Sequence, residues 1–342
     1  MADAPPPDPP QEKDRLPKEG DEITTSGGRK YKLGAVLGDG GYGTVFLSTD
    51  EEAKIAVKTE KRSKSSLKIE IIVLKTAMSM KCKHFCELLD YGTKGKDFDY
   101  MMITLLGKDL HKLRSERPGC RFSINTALRI GIQTLEACEE LHRIGFVSRD
   151  IKPGNFAPGL KQNHQSRTIF MYDFGLARKY VDKNNEVIAA RKEVGWRGTT
   201  RYGSVNSHRR LDLGRRDDLE SWFYGLVEMT RGTLPWRNFT ERAHVQRAKE
   251  ASRTTGRAQF LSDTPTQYDK LLVLIDSWTF ESAPDYLAMR MLLAEARKER
   301  KLRDSEHWDW EDETVSTTIT ATITSFSDKE LRAKQEKSPN SH

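Results

Sequence analysis

No apolar run in the 342 residues approaches the roughly 20 needed to span a bilayer, so a membrane role is not expected. The opening stretch, Met1-Ala2-Asp3-Ala4-Pro5-Pro6-Pro7-Asp8, lacks the apolar core of a secretory signal, and an intracellular chain is expected. Cysteine is scarce: Cys82, Cys86, Cys120 and Cys138 suit a reducing compartment. Cys82, His84 and Cys86 sit close together, yet no second ligand pair follows at zinc-site spacing, and buried or half-buried thiols are the plainer reading. A recognition helix, zinc spacing and an aromatic RNA-binding signature are all missing, so nucleic acid is not an expected partner. No internal repeat is visible.

What is present describes a soluble chain with a core. Hydrophobic residues make up 36% and charged residues 31%, with a mean hydropathy of −0.69. The length allows one large or two ordinary domains. A net charge of +7 favours acidic partners without choosing among them. Residues 1–27 are Pro-rich, charged and poor in aliphatics, which predicts a disordered lead. From Tyr31 to Lys58 short strands flank a glycine turn, with Tyr31, Leu33, Ala35 and Leu37 in alternation. Ser65 to Met78 is helical in period, with Leu67, Ile71, Leu74 and Ala77 on one face. Tyr100 to Leu106 is a short apolar strand. Beyond Gly107 helices dominate; Ser123 is an N-cap candidate, followed by Leu128, Ile132, Leu135, Cys138 and Leu141 at helical spacing. The fold class is therefore α+β, a β-rich lobe before an α-rich lobe. After about residue 303 the composition becomes acidic and aromatic, Trp308 to Glu313. Thr318, Thr320, Thr322 and Thr324 then alternate with Ile319, Ala321 and Ile323; the period of two would suit an added strand, and a flexible Thr-rich tail is the plainer expectation.

The chemistry is concentrated in a few segments. Val147-Ser148-Arg149-Asp150-Ile151-Lys152-Pro153-Gly154-Asn155 reads as a phosphoryl-transfer loop, and Asp173-Phe174-Gly175 follows eighteen residues after Asn155. Asp150 would orient and deprotonate an attacking hydroxyl, with Lys152 steadying the transferred group. Asn155 and Asp173 would hold Mg2+ against the phosphates of ATP. Gly38, Gly40, Gly43 and Val45 have the G-x-G-x-x-G-x-V spacing, which lets backbone approach phosphate. A strand is expected after Val45, whereas a dinucleotide motif would open a helix there. Lys58 ends the strand Ile55-Ala56-Val57-Lys58 and can reach phosphates if a carboxylate holds it; Glu70 on the next helix is the candidate. Asp218 precedes an apolar helix and could brace the catalytic loop from behind.

The full set resembles the casein kinase I superfamily. Gly198-Thr199-Thr200-Arg201-Tyr202-Gly203-Ser204-Val205-Asn206 stands where most kinases have Ala-Pro-Glu, and Arg215 to Ser221 and Leu234-Pro235-Trp236 match as well. Leu67-Lys68-Ile69-Glu70, Asn155-Phe156-Ala157 and Pro235-Trp236-Arg237 are most similar to the tau-tubulin kinase branch. The resemblance implies a bilobal protein kinase fold over residues 28–302, with lobes at 28–106 and 107–302, and a tail at 303–342. It implies a monomeric Ser/Thr kinase using ATP and Mg2+, cytoplasmic more than nuclear. Ala56 would line the nucleotide site, Ile103 would be the gatekeeper, and Thr104 and Leu106 would offer backbone groups to adenine. Protein substrates would be acidic or already phosphorylated, met by Arg201 and Arg178 among the basic residues Lys179, Lys183, Arg191, Lys192 and Arg197. Two departures stand out. Ser148 replaces the family's histidine, which predicts a looser Phe174, and Gly203 replaces an alanine. Ser148 is the sole support for the alternative of a pseudokinase acting as a nucleotide-binding or scaffolding module. Thr314 and Ser316, each three residues after a glutamate, are candidate self-phosphorylation sites.

Overall fold

The structure is a computed structural model and describes residues 14–40, 43–49 and 54–311. Period-two burial builds its first lobe. Strands β1 (Glu22–Thr24), β2 (Lys30–Gly40), β3 (Gly43–Thr49), β4 (Lys54–Lys61), β5 (Leu88–Lys94) and β6 (Phe98–Thr104) form one antiparallel sheet in the order β1-β2-β3-β4-β6-β5. Ile55 and Val57 of β4 join Ile23, Tyr31, Leu33, Phe46, Tyr100 and Met102 on the outer face. Ala56 lies in the main core on the opposite face, with Val45, Met101 and Ile103. Alternation puts Lys58 and Glu60 on that same inner side, where helix α1 (Leu67–Ser79) packs with Leu67, Glu70, Val73, Leu74 and Ala77 buried.

The sequence pattern of β2 is corrected here. Tyr31 and Leu33 face the outer cluster, but Leu37 belongs to the inner core and Ala35 is exposed. Register shifts between Leu33 and Val36, and between Val36 and Gly38, turn the strand over before the glycine hairpin. An added residue swaps the faces of all that follow.

The second lobe begins with α2 (Leu110–Ser115) and α3 (Ile124–Arg143). Ser123 caps α3 by accepting the Thr126 N–H at 3.3 Å, and Leu128, Leu135, Cys138 and Leu141 are fully buried while Ile132 is half-buried. Two small ladders follow. Strand β7 (Phe146–Val147) pairs with β10 (Arg178–Lys179), and β8 (Phe156–Pro158) pairs with β9 (Ile169–Met171). The loops between them carry Asp150, Asn155 and Asp173 to one rim. Helices α4 (Val205–His208), α5 (Arg215–Arg231), α6 (Arg242–Ala251), α7 (Arg257–Phe260), α8 (Gln267–Asp276) and α9 (Tyr286–Glu299) complete the lobe. Helix α5 is its buried axis. Gly131 lets α3 come close to it, since a Cβ there would sit 2.8 Å from Leu226 Cδ1, and Trp222 Nε1 donates to Thr134 Oγ1 at 2.9 Å. Among the described residues no helix is long and apolar enough to cross a membrane.

Order reaches further at both ends than composition predicts. Residues 14–27 were expected to lack structure, yet β1 lies within them and Ile23 is buried. The tail expected from 303 also starts as structure. Trp308 is 1% exposed under the Arg129 guanidinium, which stacks 4.0 Å from its ring. Asp309 accepts the Ser123 N–H at 2.6 Å and the Thr126 hydroxyl at 2.7 Å, placing an acid at the positive end of α3. Arg167 pairs with Glu311 at 2.6 Å. The remainder of the lead and of the tail, including Thr314, Ser316 and the Thr-rich stretch, lies outside the described residues.

Residues 303–311 therefore work as a strap over the N-terminus of α3. Trp308→Ala should lower unfolding stability by about 3–5 kcal/mol, the usual cost of emptying a buried aromatic site. Denaturant unfolding of the full chain reads this directly; a loss under about 1 kcal/mol would show that the strap is peripheral.

Candidate active site

Lys58 is 1% exposed and stands among three carboxylates. Its Nζ donates to Glu70 Oε1 at 2.6 Å and lies 3.4 Å from Asp173 Oδ1 and 3.5 Å from Glu60 Oε1. Burial alone would depress the lysine pKa; Glu70, Asp173 and Glu60 override it and hold the ammonium charged. Burial, with Asp173 and Glu60 nearby, pushes the Glu70 carboxyl up against the pull of Lys58. Glu70 Oε2 also accepts the Phe174 N–H at 3.3 Å, and the Phe174 ring stacks on Phe85 at 5.4 Å. The residue predicted to be loosened by Ser148 is thus 1% exposed and held on two sides. Glu60 was not singled out from the sequence, although its two-residue offset from Lys58 puts it on the same face. It accepts the Ser66 N–H at 2.6 Å, so one carboxylate touches the lysine and the start of α1 together.

The catalytic loop is gathered from below. Asp218 accepts the backbone N–H groups of Ser148 at 2.7 Å and Arg149 at 2.8 Å, as its position in the sequence suggested. His142 joins it, lying 2.9 Å from Asp218 Oδ2 and 2.6 Å from the Tyr286 hydroxyl. These bonds hold Arg149 at φ 65°, a left-handed turn that aims Asp150 at the cleft. Asp150 Oδ1 accepts the Thr199 hydroxyl at 2.8 Å, Lys152 Nζ is 3.2 Å from Asp150 Oδ2, and Lys152 donates to Thr199 Oγ1 at 3.3 Å. Thr199 was quoted in a motif without a role, and hydroxyl chemistry beside an Asp–Lys pair is the signal that could have found it. Asn155 donates Nδ2 to the Asp150 carbonyl at 2.9 Å. Its Oδ1 is buried with no hydrogen-bond partner among the described residues. An orphaned amide oxygen beside a site with surplus carboxylates fits a hard divalent cation such as Mg2+.

The glycine hairpin joins this site from above. Gly38 pairs with Val45, and Gly40 with Gly43; Gly41 and Tyr42 lie outside the described residues. Gly43 is also demanded by packing, because a Cβ there would meet the Thr59 carbonyl at 1.9 Å. Val45, Ala56 and Ile103 are buried on the inner face. The Thr104 N–H already donates to Glu87 O at 3.2 Å, while the Leu106 N–H has no intramolecular partner among the described residues.

The basic residues are arranged differently from expectation. Arg178 and Arg201 do not form one open pair. Arg178 Nη1 binds Asp212 Oδ2 at 2.5 Å, and Arg191 Nη2 binds Asp212 Oδ1 at 2.8 Å. Arg201 Nη1 instead faces the buried Glu228 at 3.5 Å. Burial would raise the Asp212 pKa, but hydrogen bonds from Arg191 and Arg178 hold it below the usual carboxylate range. Arg149 is lowered to about 10 by burial and by the nearby Arg197, Arg191 and Arg178. Further along, Val205 N–H donates to Glu220 at 2.8 Å and Asn206 Nδ2 to Asp217 at 3.0 Å, which ties the Ser204-Val205-Asn206 stretch to α5.

The protein kinase domain family matches residues 31–301, and the chain belongs to that family. Its two lobes are the bilobal kinase fold. A Dictyostelium discoideum protein named as a probable serine/threonine-protein kinase is 36% identical over 284 residues, covering 82% of this chain and 56% of that protein. Serine/threonine-protein kinase spe-6 of Caenorhabditis elegans is 34% identical over 295 residues, covering 84% of this chain and 76% of its own. The chain thus spans little more than half the length of the first relative.

Asp212 is the counter-charge of the activation segment. Asp212→Asn should cost about 2–3 kcal/mol, less than a fully buried pair because both guanidiniums are part-exposed. Limited trypsin digestion should then cut sooner at Arg191 and Lys192; unchanged cleavage would remove Asp212 from this role. The carboxylate's depressed pKa adds a sign: its contribution is present above the unfolded pKa and is lost as pH falls through the folded value.

Proposed function

We propose that the chain is an active protein serine/threonine kinase that moves the γ-phosphoryl group of ATP to protein hydroxyls. The observation that carries this reading is the closed set in one cleft: Lys58 on Glu70 and Asp173, Asp150 on Thr199 and Lys152, and the Oδ1 of Asn155, buried and without a partner among the described residues. In the proposed reaction a Ser or Thr hydroxyl donates a hydrogen bond to the Asp150 carboxylate and gives it the proton. Its oxygen bonds to the γ-phosphorus as the bond to the β-phosphate bridge breaks, and ADP leaves. Lys152 offsets charge on the transferred group, and Lys58, steadied by Glu70, holds the α- and β-phosphates. The Leu106 N–H and the Thr104 carbonyl are offered to adenine under the Ile103 side chain. Asn155 and Asp173 would hold Mg2+, which when bound neutralises the phosphates.

Within its family we assign the chain to the casein kinase I superfamily, near the tau-tubulin kinase branch, on the motifs quoted above and on the Asn206–Asp217 tie. Acidic or already phosphorylated proteins are the proposed substrates. The support is a cationic activation segment, with Lys179, Lys183, Lys192 and Arg197 all exposed. Arg201, one third exposed, adds to that field, whereas Arg178 and Arg191 are taken up by Asp212. A monomer in the cytoplasm belongs to the same proposal, on four thiols that a reducing compartment keeps unpaired.

The test is phosphate transfer from labelled ATP to casein and to a matched peptide pair, one member pre-phosphorylated. Wild type should label casein and prefer the phosphorylated peptide, and Asp150→Asn should run about 100- to 10,000-fold slower. Equal use of both peptides would discard the substrate preference and leave the enzyme. Bound nucleotide without any transfer would favour the pseudokinase alternative, with Ser148 the first residue to restore to histidine. Asn155→Ala should raise the Mg2+ concentration needed for half-maximal rate; an unchanged requirement would take Asn155 out of the metal site.

A further inference from the structure

Lys249 is a fully buried lysine of the helical lobe that the site so far leaves unused. It sits on α6 with Val245 as the other buried apolar-face residue, and it is 0% exposed. Its Nζ donates to the Thr200 carbonyl at 2.8 Å and the Gly203 carbonyl at 2.6 Å, and lies 3.1 Å from His208 Nε2. The ring centroids of Tyr224 and Trp236 are 5.1 and 5.5 Å from the same nitrogen. The nitrogen thus meets two carbonyls and an imidazole between two aromatic faces; burial lowers the Lys249 pKa well below that of a free lysine, and these contacts offset part of that cost. Burial and the adjacent Lys249 push His208 down to about 3, which keeps its ring neutral and able to accept.

The partners are the substrate-facing loop. Trp236 Nε1 donates to the Arg201 carbonyl at 2.8 Å, so Lys249 and Trp236 together hold the carbonyls of Thr200, Arg201 and Gly203. Inside the loop, the N–H groups of Tyr202 and Gly203 both donate to the Thr199 carbonyl, at 3.0 and 2.7 Å. The Thr199 hydroxyl in turn donates to Asp150. The chain of contacts runs from α6 through the loop to the side chain read above as the proton acceptor. A methionine would fill the same slot with no desolvation cost, so a lysine there is best accounted for by the loop geometry it imposes.

We propose that Lys249, with Trp236, is a positioning residue for the protein acceptor: it clamps residues 200–203 in the shape that receives the substrate hydroxyl at Asp150. The proposal rests on the kinase reading and adds a split that the reading alone does not demand. Lys249→Met in the full chain should cut kcat/KM for casein and for an acidic serine peptide about tenfold, through KM of the acceptor. KM for ATP and the thermal shift given by Mg2+ and ATP should stay within about twofold of wild type. Trp236→Phe keeps an aromatic ring at the site but loses the indole's N–H donor together with its five-membered ring, and should move acceptor KM the same way by less. Hydrogen exchange over residues 199–204 should quicken in both variants, a readout that needs no activity.

Acceptor KM unchanged in folded Lys249→Met would overturn the clamp. So would parallel loss for acceptor and ATP, which marks a purely structural lysine. Should Lys249→Met fail to fold, Trp236→Phe decides alone: acceptor KM and loop exchange both at wild-type values reject the proposal. An inactive wild type would sink the kinase reading instead, and exchange at 199–204 would still report whether the clamp exists.

Discussion

A buried ammonium inside a protein is tolerable only when its neighbours hold it charged, and Lys58 shows how much structure that requirement can organise. Its three carboxylates come from three places: Glu60 from its own strand, Glu70 from α1 and Asp173 from the loop after β9. Removing any one leaves the others crowded and the lysine short of countercharge, a loss on the order of 3–5 kcal/mol for a buried pair. Because Glu60 also accepts from Ser66, and Glu70 also accepts from Phe174, the same ions fix the start of α1 and the turn below it. Lobe closure is therefore an electrostatic condition before it is a packing one. The surplus of negative charge that remains is what a divalent cation bound with ATP would offset.

Below the cleft a single helix performs the matching task. Helix α5 is buried along almost its whole length, yet it carries Asp217, Asp218, Glu220 and Glu228 inward. The acids collect donors from two segments: Asp218 from Ser148 and Arg149 of the catalytic loop, Asp217 and Glu220 from Asn206 and Val205 at the start of α4, and Glu228 from the Tyr202 hydroxyl just before it. Burial pushes Asp217 up to about 6, a measure of how little water reaches it. Carboxylates in such a place cannot be left unpaired, so the catalytic loop and the segment from Tyr202 into α4 are held by the cost of letting go.

Much of this was legible before any coordinates. Lys58 and Glu70 could be paired from a strand end and a helical period, and Asp218 and the Ser123 cap from their places ahead of apolar helices. Local pattern could not show where β2 turns over, because a register shift leaves no mark in the alternation of Tyr31, Leu33, Ala35 and Leu37. Nor could it pair Arg178 with Asp212, which lie 34 residues apart and meet only through the fold. Trp308 and Asp309 read as an acidic tail until the N-terminus of α3 is seen beside them. Lys249 is the extreme case: on a polar helix rich in charge it looks solvated, and its burial follows from partners 46 and 49 residues away.

The central claim is that Lys58 and Glu70 act as one unit in holding nucleotide. A double-mutant cycle on Mg2+–ATP affinity, measured by calorimetry in Lys58→Met, Glu70→Gln and the double variant, addresses it directly. The account predicts that each single change weakens binding about tenfold and that the double is no weaker than either single. Losses that simply add would contradict it, because the two side chains would then be contributing independently.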